Sequence, residues 1–344
     1  MSWILRKSAL SFAGVAALAL VLGACAQRSE LAGTPVPGLI GTTELDAGAH
    51  VTGLAVADNG DVWLATTNYG NGPSGAIRVE ANGAVKRFPR IESFNRVAVD
   101  SAGSAWFTVG AGSAGQQPKI VRIERTGRVH DFALPPEGNF QGITIGSDGA
   151  PWFADAATGE IWRISSDGSL THYSAATSDA DELADDTKGD LWFTETNGNQ
   201  IGRLHTADGT LKEFRIPTLA SRPAGIALGA DGNIWFCESA ADKIGRITRA
   251  GTIAEFRIPT SGAWPVGIAP AHDGALWFTE LTTGKIGRIT ATGTITEYVA
   301  PGGGQPGPIA RAADGSLWFV SNGKQGALGL STSRGRLAHF SPKR

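Results

Sequence analysis

PAGIALGADGNIWFCESAADKIGRITRAGTIAEFRIP, from Pro223 to Pro259, holds four short apolar runs: GIAL, NIWFC, KIGRIT and TIAEFRI. Asp-Gly, Ala-Ala-Asp and Ala-Gly signals separate them. Alternating apolar residues bounded by such pairs read as strands joined by tight hairpins. The stretch is therefore one four-stranded antiparallel meander. A lone meander leaves an apolar face exposed, so it must stack on copies of itself.

The copies recur along the chain. Trp63, Trp106, Trp152, Trp192, Trp235, Trp277 and Trp318 head the second strand of each unit, at spacings of 43, 46, 40, 43, 42 and 41 residues. A period of about 40–45 residues with four strands per repeat is that of a β-propeller blade. The expected fold is all-β, a seven-bladed β-propeller of four-stranded antiparallel blades. The blades fall near 51–90, 94–135, 140–175, 180–217, 223–259, 265–301 and 306–341. A residue-Gly pair closes each first hairpin, from Asn59-Gly60 to Asp314-Gly315. Further glycines, from Gly83 to Gly335, are assigned to the third-to-fourth turns. Two segments compete to complete the last blade as its fourth strand, Thr42-Thr43-Glu44-Leu45 and Leu337-Ala338-His339-Phe340. The reading leans to residues 42–46 pairing in blade 7.

The first 25 residues read as a targeting segment. Arg6 and Lys7 precede an apolar run from Ala9 to Leu22, which is short for a membrane span. Leu22-Gly23-Ala24-Cys25 looks like a bacterial lipobox, with Cys25 the expected lipidation site. Several acyl chains on one residue anchor a protein stably, and Ala26 after the Cys favours an outer-membrane address in a Gram-negative cell. Residues 26–41 read as a Gly- and Pro-containing tether, and 42–341 as the propeller. Cleavage before Cys25 removes two basic residues, leaving 28 basic against 32 acidic and a net charge of −4. No basic stripe is present, which argues against nucleic acid as a partner. Cys237 takes a place filled by Thr108, Thr194 and Thr279 in other blades, and reads as a small core residue. A monomer is expected.

The runs WFTETNGNQIGRL (192–204), WFCESAADKIGRI (235–247) and WFTELTTGKIGRI (277–289), each followed by a T-x-x-E-[FY] strand and a proline, resemble the virginiamycin B lyase (streptogramin B lyase) family. The resemblance covers residues 43–341. It implies a seven-bladed propeller, and an activity that opens type B streptogramins by elimination at the ester, with a magnesium ion and a histidine base. In that family the histidines lie in P-H-G or P-H-A segments that open the innermost strands. Here those segments read Arg222-Pro223-Ala224-Gly225, Trp264-Pro265-Val266-Gly267 and Gln305-Pro306-Gly307-Pro308, without histidine. Of the six histidines, only His50 lies near the start of an inner strand, two residues short of the aligned place.

The inner strands open at Thr52, Asn95, Gln141, Asp181, Ala224, Val266 and Gly307. Arg96 and Glu182 take the next position, where Gly53, Gly142, Gly225 and Gly267 are the norm. Phe94, Phe140, Arg222 and Trp264 sit on the approach loops. Aromatics and an arginine around a polar patch suit a small molecule or peptide. The candidate ligand residues are Asn95, Arg96, Phe140, Gln141, Asp181, Glu182, Arg222 and Trp264. Asn95, Gln141 and Asp181 could offer oxygens to Mg²⁺ or Ca²⁺. Asp155, Glu195, Glu238 and Glu280 end their second strands and recur with Arg163, Arg203, Arg246 and Arg288, which reads as a structural pairing. Loops Asn68 to Ser74 and Gly110 to Gln117 are longer rims on the same face. Two functions follow: a membrane-tethered binding module, or a metal-dependent lyase or hydrolase of cyclic esters or lactones.

Overall fold

The computed structural model describes residues 34, 36–45, 49–68, 74–90, 92–110, 117–174, 179–323 and 335–342. The targeting segment, Cys25 and most of both long rim loops lie outside the described residues. The chain folds as seven four-stranded antiparallel sheets arranged as propeller blades.

Blade 5 shows why the repeat folds as it does. Its strands are Pro223–Leu228, Ile234–Glu238, Lys243–Ile247 and Ile253–Arg257. The second strand is buried throughout, whereas the fourth meets solvent. Trp235 is fully buried. It stacks on Phe256 with ring centroids 5.5 Å apart, and the Arg246 guanidinium lies 5.4 Å over its other side. The same Trp–aromatic stack recurs from Trp63–Phe88 to Trp277–Tyr298. The core sits between neighbouring blades: Trp235, Cys237 and Ile244 of blade 5 pack with Ile268, Phe278 and Ile289 of blade 6. Cys237 is buried and free, and burial with Glu238 nearby pushes its thiol pKa up. It is a core residue.

The arginines pair with tryptophans, correcting the expected Arg–Glu device. In the strand register Trp235 faces Arg246, while Glu238 faces Lys243. Period-two alternation puts residues three apart on opposite faces, so one arginine cannot serve both. Arg163 and Arg288 bind the turn carboxylates Asp148 and Asp273 instead, at 2.7 and 2.8 Å.

The ring closes on the N-terminal segment. Leu39–Glu44 pairs antiparallel with Arg336–Phe340, giving blade 7 the order 39–44, 336–340, 317–322, 305–311 from outside in. Residues 337–340 thus form the third strand, and Gly335 precedes that strand instead of leaving it. His339 belongs to it as well, and stacks on Trp318 at 4.1 Å. The described residues of the propeller extend to the N-terminal side of residue 42. Val36 is buried against blade 6, whose Val299 N–H donates to the Thr34 carbonyl at 2.9 Å.

Candidate functional site

The inner strands converge on the axis in three successive levels. At the first are Thr52, Asn95, Gln141, Asp181, Ala224, Val266 and Gly307. At the second, neighbouring backbones approach so closely that most blades need glycine. A Cβ on Gly142 would lie 2.2 Å from the Asp181 carbonyl oxygen, and one on Gly225 would lie 2.3 Å from that of Val266. Blades 2 and 4 break this pattern with Arg96 and Glu182, and the Arg96 Nε donates to Glu182 Oε1 across the bore. At the third level Leu54, Val97, Ile143, Ile226, Ile268 and Ile309 form an aliphatic girdle. These two levels enclose a cavity of about 340 Å³, at the small end of ligand pockets.

A hydroxyl behind the bore keeps the second level in place. The Thr108 and Thr194 hydroxyls accept from the Arg96 and Glu182 backbone N–H groups, both at 3.1 Å. Thr108 also donates to the Gln141 carbonyl of the next blade at 2.6 Å. These threonines therefore hold the backbones of both members of the ion pair, whereas in the sequence they stand out only as counterparts of Cys237.

His50 lies in Ala49–Val56 and lines the cavity, although its sequence position falls short of the aligned place. Its strand carries an irregularity between Val51 and Gly53, as the inner strands of blades 3 to 7 do at the equivalent place. Burial lowers the His50 pKa, which favours the neutral imidazole. This corrects the expectation that the bore lacks a histidine. Asn322 shares the lining, and its amide both accepts from and donates to the Val51 backbone, at 2.9 and 3.0 Å.

The other candidates divide. Phe140 is fully buried against Phe153 and Trp162 at 5.6 and 6.1 Å, and Phe94 against Phe107 at 4.9 Å. Both are inter-blade core, since an aromatic on an approach loop buries more area between blades than at the mouth. Asn95 donates its amide to the Phe140 carbonyl at 2.7 Å, and Gln141 donates to Asn139 Oδ1 at 2.8 Å. The Asp181 carboxylate accepts from the Thr196 hydroxyl at 3.3 Å. Burial, then the Glu182 charge, raises the Asp181 pKa to about 6. Two of these three side chains turn their amide N–H groups to local acceptors, and the one carboxylate is shifted toward its neutral form, so the negative charge they offer a Mg²⁺ or Ca²⁺ ion is small. Among the described residues, no group of three or more His, Cys, Asp or Glu side chains could hold a metal ion.

Arg222 and Trp264 do meet, with the guanidinium 5.9 Å over the indole. Both precede proline and both have positive φ, 54° and 50°. A bulky residue at positive φ is costly, and such strain persists only where surroundings enforce it. The enforcing residues are Asn199 and Asp242, themselves at positive φ. Asn199 Oδ1 accepts from the Ser221 N–H at 2.7 Å, and Asp242 accepts from the Gly262 and Trp264 N–H groups at 2.7 and 3.3 Å. The local signal was an Asn or Asp two residues before the IGR or one residue before the KIGR run, too common a residue choice to be singled out.

Beneath these loops lies a buried acid ladder. Glu238 is fully buried; burial first, and the Glu255 carboxyl second, raise its pKa to about 8. Burial similarly raises Glu280 to about 7, with Glu297 nearby. Glu255 accepts from the Thr218 N–H at 3.2 Å, and Lys243 reaches the Thr218 hydroxyl at 2.6 Å, so the ladder braces the loop that carries Arg222. A glutamate whose pKa is raised in the fold binds its proton more tightly there than in the unfolded chain. Its contribution is full below about pH 4.5 and shrinks as pH rises to the folded value. Glu238→Gln should therefore flatten the fall in melting temperature between pH 5 and pH 8, and equal slopes in the two proteins would refute the buried neutral acid.

The chain matches the virginiamycin B lyase family over residues 40–183 and 176–343. It is 30% identical over 218 residues to virginiamycin B lyase of Nocardia farcinica (strain IFM 10152), covering 63% of this chain and 72% of that one. Among solved structures it resembles a catalytically inactive histidine-to-alanine variant of virginiamycin B lyase from Staphylococcus aureus with quinupristin. The TM-score is 0.75 at 31% identity, over 87% of this chain and 99% of that one. A streptogramin B lyase structure matches with a TM-score of 0.73 at 31% identity, over 86% and 96% of the two chains. With its seven blades and these relatives, the chain belongs to the virginiamycin B lyase family.

Proposed function

We propose that this protein is a ligand-binding propeller of the family, which takes a small molecule or peptide at its central mouth without the lyase chemistry. One observation carries the reading. Where the family's histidines would stand, blades 5 to 7 present Ala224, Val266 and Gly307, while an Arg96–Glu182 ion pair occupies the bore. The relative with quinupristin supports a small-molecule role for the fold. The leader supports a cell-envelope location, with the propeller held at the membrane by acyl chains on Cys25. A Cys25→Ser variant that stayed in the detergent phase on partitioning would contradict that anchor.

His50 favours a second reading, a lyase or hydrolase of cyclic esters. A half-buried imidazole lining a cavity, its neutral form favoured by desolvation, can accept a proton. Incubation with quinupristin separates the two. Chromatography with mass spectrometry should return the intact ring. A ring-opened isomer of equal mass, or a product with one added water, would overturn the binding-only reading. Loss of that product in His50→Ala would assign the base.

A further inference from the structure

The ion pair in the bore restricts what the cavity can accept, and this inference rests on reading the mouth as a binding site. Arg96 and Glu182 belong to blades 2 and 4, on either side of blade 3, whose Gly142 has no room for a Cβ against the Asp181–Glu182 backbone. Their side chains keep 32% and 22% of their surface open, so both charges face the cavity while sheltered from bulk water. Below them the aliphatic girdle offers no polar side chain. Of the neighbouring polar groups, Thr52 donates to the Phe94 carbonyl at 2.7 Å, Asn322 serves the Val51 backbone and Asp181 accepts from the Thr196 hydroxyl, while His50 also lines the cavity.

A charge in such a place is costly unless paired. A simple anion entering the cavity would take Arg96 and leave Glu182 uncompensated. A simple cation would do the reverse. A neutral apolar guest would leave the pair intact and gain nothing from it. A guest with one charge of each sign can insert into the pair and leave every charge paired, its carboxylate on Arg96 and its ammonium on Glu182. The girdle then calls for an apolar group on the same small molecule, and 340 Å³ limits its size. We infer that the cavity binds a small zwitterion with an aliphatic or aromatic side chain, of the hydrophobic α-amino acid class, through Arg96 and Glu182.

Titration calorimetry on the mature chain tests this with four probes. L-leucine carries both charges and a side chain, N-acetyl-leucine lacks the ammonium, leucinamide lacks the carboxylate, and glycine lacks the side chain. Leucine should bind, and each of the other three at least tenfold more weakly. Arg96→Met should lose leucine binding. The double variant Arg96→Met/Glu182→Met, which replaces the pair by an apolar contact across the bore, provides the same readout if the single variant folds poorly. No heat with leucine, or equal affinity for N-acetyl-leucine, would overturn the inference. Quinupristin is titrated in parallel, following Trp fluorescence. Its binding without leucine binding would sink the zwitterion site while leaving the proposed binding function standing; loss of both would sink the two together.

Discussion

A chain that begins at residue 46, without the closing strand, should melt roughly 10 °C or more below the chain that keeps it and should aggregate. The reason is geometric. Leu39–Glu44 covers the edge of Arg336–Phe340, whose Leu337 and Phe340 are fully buried in the intact ring. Truncation also removes two buried anchors, Val36 against blade 6 and Leu45 against Val51, Val320 and Leu337. Burial of a side chain of that size is worth about 1.5–3 kcal/mol, so the two anchors alone account for about 3–6 kcal/mol. The Leu45 N–H bond to the Gly335 carbonyl and the Ser341 N–H bond to the Gly38 carbonyl, both 2.9 Å, would go as well. The bared strand edge would pair with other chains. Differential scanning calorimetry with size-exclusion chromatography reads both effects. An unchanged melting temperature would mean that the ring is closed by something else.

Trp235→Ala should cost about 3–5 kcal/mol, as expected for deleting a fully buried aromatic. Trp235 is held on three sides: by Phe256, by the Arg246 guanidinium, and by Asp231, whose Oδ1 accepts from the indole N–H at 3.1 Å. Ile226 and Phe236 of the same blade belong to the adjoining core, so the cavity left behind would open between two sheets and not at their rim. Trp264→Ala provides the contrast. That indole is 37% exposed and should cost less than about 1 kcal/mol while weakening any ligand held at the mouth. Urea denaturation of the two variants beside the parent measures the difference. Similar losses for both would show that the strand-heading tryptophans are not what binds blade to blade.

The acid ladder and the mouth loops show how stability and function share residues here. Lys243 and Glu255 hold Thr218, Asp242 holds Trp264, and Asn199 holds Ser221. A change deep in a blade, such as Glu238→Gln, therefore acts on the same loops that would meet a ligand.

Much of this protein was legible without coordinates. The tryptophan period, the Gly turns and the alternation within PAGIALGADGNIWFC determined seven blades and their order, because period-two patterning and tight-turn chemistry are local properties. The family followed from the WF-T/C-E…IGR runs. For the ring closure, the leaning to residues 42–46 in blade 7 agrees with the pairing, but the place of residues 337–340 as the third strand did not follow. Residues 39–44 and 336–340 each alternate as an outer or a third strand would, and only the pairing of chain ends far apart in sequence assigns them. The site was legible as a set of positions, Arg96, Glu182, Arg222 and Trp264, but not as contacts. That Arg96 reaches to Glu182 of the blade beyond its neighbour, that His50 lines the bore, and that Phe94 and Phe140 turn into the core all depend on how neighbouring inner strands crowd at the axis. Crowding of that kind is a sum over seven blades, and no single repeat encodes it.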